Sequence, residues 1–249
     1  MFAVITKVED QIGPIGLFVA NAGIGGGSPG ITASDKEWAT MGGVNTMQVR
    51  VDKMKMRFYP FVLHLPPNLD PQHVYWARHL VPRMIQRGGG YIVITSSAAG
   101  LLYVNSLMYK VTKAAAIAIG EWIAVTHGDD GIGVSCLCPQ AVRTNLMATS
   151  VAYERGNVAA KPSAPQNDDD GDVASGVAGG DGVLEVGEVA SLTLDCVRDG
   201  EFLVLPHQEV LKYVQRKASD TTRWVRGARR MARSFSKDAI EEGRRPSKL

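Results

Sequence analysis

Apolar positions along this chain fall into short β-branched runs separated by longer stretches with helical spacing. LFVANAG, Leu17 to Gly23, reads as a buried strand entering a tight glycine turn. YIVITSS, Tyr91 to Ser97, repeats that pattern after Gly88-Gly89-Gly90, and GVSCLCP, Gly133 to Pro139, repeats it again. Between the runs, Ser34-Asp35-Lys36-Glu37 places a capping residue ahead of acidic residues and starts a helical stretch that contains Asn45. A second helical stretch is HVYWARHLVPRM from His73, and a third is MYKVTKAAAIAIGEW from Met108. VLEVGEVASLTLDCVRDGEFLVLP reads as a helix followed by the last strand.

Candidate chemistry lies at the start of the third helix. Tyr109 and Lys113 are four residues apart and share one helix face. A free phenol titrates near ~10 and is a poor acid or base at neutral pH. A nearby ammonium stabilises the phenolate and is expected to lower that value. A serine from SSAAG, Ser96 to Gly100, could hold a carbonyl or alcohol oxygen beside the phenol. Such a group suits proton transfer in an alcohol–ketone interconversion.

Taken in order, the pieces resemble the short-chain dehydrogenase/reductase family. They are ANAG at 20–23, Asn45, SSAAG at 96–100, Tyr109-x-x-x-Lys113 and Pro139 through Thr144. The resemblance runs from about residue 10 to 148 and resumes near 185 to 206. It implies an α/β fold, a Rossmann-like doubly wound parallel sheet over 1–206, and hydride exchange between NAD or NADP and a secondary alcohol or ketone. It also implies roles. Tyr109 is the general acid/base, and Lys113 lowers its pKa and binds the nicotinamide ribose. Ser97 orients the substrate oxygen, and Asn45 holds a water that links Lys113 to solvent. Asn21, Ala22 and Gly23 shape the cofactor cleft, while Pro139, Val142 and Thr144 lie at its nicotinamide end. Homo-oligomers in this family form through the helices carrying Asn45 and Tyr109. The competing reading is an inactive relative that acts as a binding or scaffold protein.

The chain departs from the family pattern in four places. The loop from Gly100 to Tyr109 is one residue short, so counting back from Tyr109 favours Ser96. The Ser-x-x-Gly context favours Ser97, and since adjacent strand residues face opposite ways only one serine can face the cleft, so Ser97 is expected there. The usual Pro-Gly after the third strand is Pro139-Gln140. Family members open with a strand and a Gly-rich turn that cradles the cofactor pyrophosphate at a helix N-terminus. Here MFAVITKVEDQIGPIG corresponds to the helix before the fourth strand. The expectation is a sheet without its first strands, lacking about 70 residues, with LFVANAG as an exposed apolar edge. The residue that would choose between NAD and NADP is missing with them. GIGGGSPG at 23–30 lacks the G-x-G-x-x-G spacing before a helix and is read as a loop. Finally, Val49 to Gln72 interrupts a helix with Pro60, Pro66, Pro67 and Pro71. Deleting these 24 residues leaves VNTMQ-HVYWARHLVPRM. Valine codons begin GT and glutamine can be CAG, so a retained intron is expected, with an insertion loop as the alternative.

Composition adds less. The formal net charge is +2 over 249 residues, which gives no reason to invoke nucleic acid. From Lys212 onward, however, 12 Lys and Arg face 4 Asp and Glu. The extension 207–249 is expected to hold one basic helix, EVLKYVQRKASDTTRWVRGARRMARSF. It would dock through Leu211, Val214, Trp224 and Val225 with a solvated basic face, in preference to a membrane-surface or nucleic-acid role. Residues 161–183, containing QNDDDGDVASGVAGGDG, are expected to form a disordered loop over the substrate. Cys136 and Cys138 share one strand face and read as buried thiols, and the five histidines show no metal-binding spacing. No secretory signal or membrane span is visible. The chain ends Ser247-Lys248-Leu249, which the peroxisomal import receptor reads, so a peroxisomal location is expected, with cytoplasmic as the alternative. A lipid-derived or otherwise hydrophobic substrate fits that address.

Overall fold

The computed structural model describes residues 2–25, 33–45, 72–104, 106–144, 146 and 180–241. Their elements are α1 (Phe2–Gln11), β1 (Leu17–Ala20), α2 (Asp35–Asn45), α3 (Gln72–Gln86), β2 (Gly90–Thr95), α4 (Ala98–Leu101) and α5 (Leu107–His127). They continue with β3 (Ile132–Leu137), α6 (Val186–Asp199), β4 (Leu203–Val204), α7 (Glu209–Ser219) and α8 (Thr221–Glu241). The strands form one parallel sheet in the order β1-β2-β3-β4. Ile92 pairs with Val134 and Ile94 with Cys136 in the middle of it. Helices cover both faces of these central strands, which explains their near-continuous apolar runs.

One face carries the main core. Trp76, Leu80 and Met84 of α3 and Ile123 of α5 pack on Ile92, Ile94 and Cys136, all of them almost fully buried. α5 reaches the sheet at Gly120, where an added Cβ would lie 2.5 Å from Cys136 Sγ and 3.2 Å from Ile94 Cδ1. α1 joins this layer through Ile5, and its Glu9 is ion-paired with Arg83 of α3 and with Arg87 just beyond that helix. On the other face, Val189 of α6 packs on Val93, Leu137 and Val204. β1 is the edge of the described sheet, with Leu17 42% and Val19 52% exposed. The apolar edge expected of LFVANAG is therefore present.

Local signals placed most helix starts. At α2 the Ser34 N–H and Oγ donate to Glu37 Oε2, and the Glu37 N–H donates back to Ser34 Oγ. This reciprocal arrangement satisfies donors that the first helical turn leaves open. α3 begins at Gln72, one residue inside the stretch assigned to the insertion. The rest of Val49 to Gln72, the tail of GIGGGSPG, most of the loop 161–183 and the terminal Ser247-Lys248-Leu249 lie outside the described residues.

The single basic helix expected after residue 207 is instead two. Asp220 sits between them at φ −152° and ψ 86°, and its Oδ1 accepts from the Arg223 N–H at 2.8 Å. An aspartate that caps the next helix ends the previous one. The anchors also shift. Val210 is fully buried, and Tyr213, Val214 and Trp224 pack with it near Leu102, whereas Leu211 and Val225 stay about half exposed.

The close approach at Gly120 yields a stability test. Gly120→Val should destabilise the fold by about 1–3 kcal/mol through overpacking, measured by urea unfolding. An unchanged midpoint would mean that α5 does not rest on the sheet at this point.

Candidate active site

A cleft of about 610 Å³ opens at the C-terminal ends of β1, β2 and β3. Parallel α/β sheets place ligands at this end of their strands. Asn21, Gly23, Ser97, Tyr109, Lys113, Pro139, Val142 and Thr144 all line it. Ala22 does not, and Asn45 stands behind the wall. Asn45 is 1% exposed, and its side chain braces the loop after β1. Its Oδ1 accepts from the Ile24 N–H at 2.7 Å, while its Nδ2 donates to Ile24 O and to Thr112 Oγ1.

The two serines part company as they leave β2. Ser96 is 2% exposed and its Oγ donates to Lys113 O at 2.8 Å. Ser97 caps α4, its Oγ accepting from the Ala99 N–H and donating to Pro139 O. Its side chain also stands close enough to the Tyr109 phenol to lower its pKa. Ser97 is thus the serine beside the phenol. Ser106 starts α5 by accepting from the Tyr109 N–H, which fixes Tyr109 in the first helical turn.

Electrostatics here differ from the simple expectation. Burial raises the Tyr109 phenol above its usual range, the Ser97 side chain pulls it back, and Cys138 raises it further. Lys113 does not lower it as expected. Its Nζ lies over the Tyr109 ring, 5.6 Å from the centroid, and donates to Thr95 O at 3.0 Å. Burial brings the Lys113 ammonium down to about 8, so it exchanges a proton close to neutral pH. Cys138 is fully buried and its thiol is pushed up to about 12, chiefly by burial. Cys136, also fully buried, is raised too. Among the described residues, no three His, Cys, Asp or Glu side chains come together.

Sequence reasoning missed a clasp on the cleft rim. Gln140 Nε2 donates to Asp181 Oδ2 at 2.7 Å, and the Tyr213 hydroxyl donates to Asp181 Oδ1. The Gln140 N–H donates to Nδ1 of the buried His207. Gln140 stood out as a departure from Pro-Gly, but nothing local pointed to an aspartate inside a Gly/Asp tract.

Residues 72–155 match the family model for short chain dehydrogenase, and this span holds Ser97, Tyr109, Lys113 and Thr144. Over this stretch the chain is similar to the short-chain dehydrogenases. A 2-keto-3-deoxy-L-fuconate dehydrogenase of Xanthomonas campestris is 33% identical over 86 residues, covering 34% of this chain and 28% of that protein. The oxidoreductase UcpA of Escherichia coli is 39% identical over 77 residues, covering 30% of this chain and 29% of UcpA. The chain therefore matches under a third of the length of these relatives. A short-chain dehydrogenase/reductase of Burkholderia phymatum, solved in complex with NAD, superposes with a TM-score of 0.59 at 22% identity. That superposition covers 100% of this chain and 74% of the other, and it shows the shared α/β fold. No described helix is long and apolar enough to cross a membrane.

The low Lys113 value has a thermodynamic signature. A lysine whose folded value is depressed is charged in the unfolded chain and neutral in the fold between about 8 and its ordinary value of 10.5. The unfolded state then binds more protons, so stability rises with pH across that window. Wild type should gain stability relative to Lys113→Met between pH 8 and 10.5 in urea unfolding. A constant difference would place Lys113 in water.

Proposed function

We propose that this chain carries the proton-transfer site of an NAD(P)-dependent oxidoreductase that interconverts secondary alcohols and ketones. The observation that carries the reading is the convergence of Ser97, Tyr109 and Lys113 on one cleft, with Lys113 Nζ over the Tyr109 ring.

Residues at one end of the cleft fit a nicotinamide cofactor. Gly23 passes so close to the lysine that an added Cβ would lie 3.3 Å from Lys113 Nζ and 3.4 Å from Asn45 Oδ1. Only a glycine leaves that space free for a ligand. Among the described residues no Gly-rich turn leads into a helix N-terminus, so the fit covers the nicotinamide end alone. When bound, NAD or NADP supplies or accepts the hydride.

The protein's own residues handle the proton. The Ser97 hydroxyl donates a hydrogen bond to the substrate oxygen and sets it against the phenol. In the reductive direction Tyr109 gives its proton to that oxygen as negative charge develops there. Its raised pKa keeps it protonated until that moment. Lys113 is then positioned to resupply the proton, since it exchanges one near neutral pH. Leu17, Val19, Val93, Leu137 and Leu194 give the cleft an apolar wall. That wall supports a hydrophobic or lipid-derived substrate, as does the C-terminal Ser247-Lys248-Leu249, which we read as a peroxisomal address.

A second reading has one observation behind it. The exposed Leu17 and Val19 edge opens one side of the cleft, which suits a non-catalytic relative that binds a partner there. Cofactor binding separates the two readings, since the non-catalytic protein would not titrate with NADH or NADPH.

Two outcomes test the proposal. Tyr109→Phe should lower turnover of secondary alcohols or ketones by about 10²–10⁴-fold with an unchanged melting curve. Retained turnover would remove the assigned mechanism. A fluorescent protein carrying Ser247-Lys248-Leu249 as its last residues should collect in peroxisomes and become diffuse when Leu249 is deleted. Identical distributions would leave the tripeptide without a role.

A further inference from the structure

The α7–α8 hairpin takes no part in the cleft chemistry, yet it concentrates the charge of the molecule. Within α8, Arg223, Arg226, Arg229, Arg230 and Arg233 are all exposed. At 3.6 residues per turn they fall within an arc of roughly 120°. No Asp or Glu occurs from Thr221 to Arg233, and none of these five arginines is in an ion pair of the described residues. The opposite arc holds Trp224, Ala228 and Met231, each partly buried, with Val225 50% exposed on its flank.

Trp224 roots the helix by packing near Val210 and Leu102. Beside it a groove of about 540 Å³ runs between α7 and α8. Arg216, Ser219, Arg223, Trp224, Arg230 and Met231 contribute to its lining. Guanidinium groups thus stand directly beside indole and thioether surface. Intramolecular docking does not need this arrangement, because docking is accomplished by Val210, Tyr213 and Trp224.

We propose that the α7–α8 hairpin is a peripheral membrane-binding surface selective for acidic phospholipids. The charge pattern selects this occupant. An amphipathic helix lying in the plane of a bilayer places its apolar arc at the acyl boundary and its basic arc among anionic headgroups. Arginine stems cover apolar surface while their heads stay with the phosphates. Nucleic acid would use the arginines but leave the apolar groove unexplained. α8 contains 21 residues and is about 30 Å long, enough to lie across several headgroups.

The test is flotation of the full chain with vesicles of phosphatidylcholine alone or with about one-third phosphatidylserine, at about 0.1 M salt. Binding should be at least about tenfold stronger to the acidic vesicles and should fall steeply as salt is raised. Replacing four arginines together, Arg226→Gln, Arg229→Gln, Arg230→Gln and Arg233→Gln, should remove that preference without altering the melting curve. Met231→Gln keeps every charge and should weaken binding several-fold. Tyr109→Phe should leave it untouched, which keeps this test separate from the proposed enzymology. Equal binding to neutral vesicles would overturn the proposal, and so would full binding by the four-arginine variant. Tighter binding to duplex DNA than to acidic vesicles, unaffected by Met231→Gln, would assign the surface to nucleic acid instead.

Discussion

The site depends on a double stitch between the end of β2 and the first turns of α5. Ser96 Oγ donates to the main-chain carbonyl of Lys113, and Lys113 Nζ donates to the carbonyl of Thr95. Ser96 and Lys113 are buried and Thr95 is half-buried, so both bonds are largely shielded from water. The pair fixes the helix against the strand end in both rotation and translation. With Ser96 committed to the helix backbone, the next residue turns toward the cleft. Ser97 therefore lines the same cleft as Tyr109 by geometry and not by reach. Asn45 extends the same support to the loop after β1, bonding Ile24 and Thr112 at once.

The opposite side of the cleft is built differently. α6 covers Val93, Leu137 and Val204, but Leu17 and Val19 of β1 remain largely exposed beside them. An edge strand with an apolar face is a site for association. The cleft thus combines a hydrogen-bonded wall holding Ser97, Tyr109 and Lys113 with an open apolar flank.

Much of this was legible in the sequence, for local reasons. β2 and β3 announced themselves as β-branched runs between glycine turns, and Ser34 with Glu37 marked the start of α2. Tyr109 and Lys113 share a face because helical spacing requires it. Other features depend on contacts between distant segments. The raised phenol could not be anticipated, because burial outweighs a lysine that sits over the ring face. The Gln140–Asp181–Tyr213 clasp joins three segments with no common pattern. Asp220 reads as one polar residue in a long amphipathic run, and only its capping of Arg223 shows that it divides two helices.

Strand order in this sheet follows chain order, from β1 to β4. Each new strand therefore docks on the one made just before it, and no gap must be held open for a later arrival. A ribosome could deliver the sheet in the order it assembles, one crossover at a time, with little chance of strands pairing out of turn. Ser97, Tyr109 and Lys113 would come together only once α5 has emerged and folded back onto β2. This wall of the cleft would thus be set midway through synthesis, before β3 and β4 have been made.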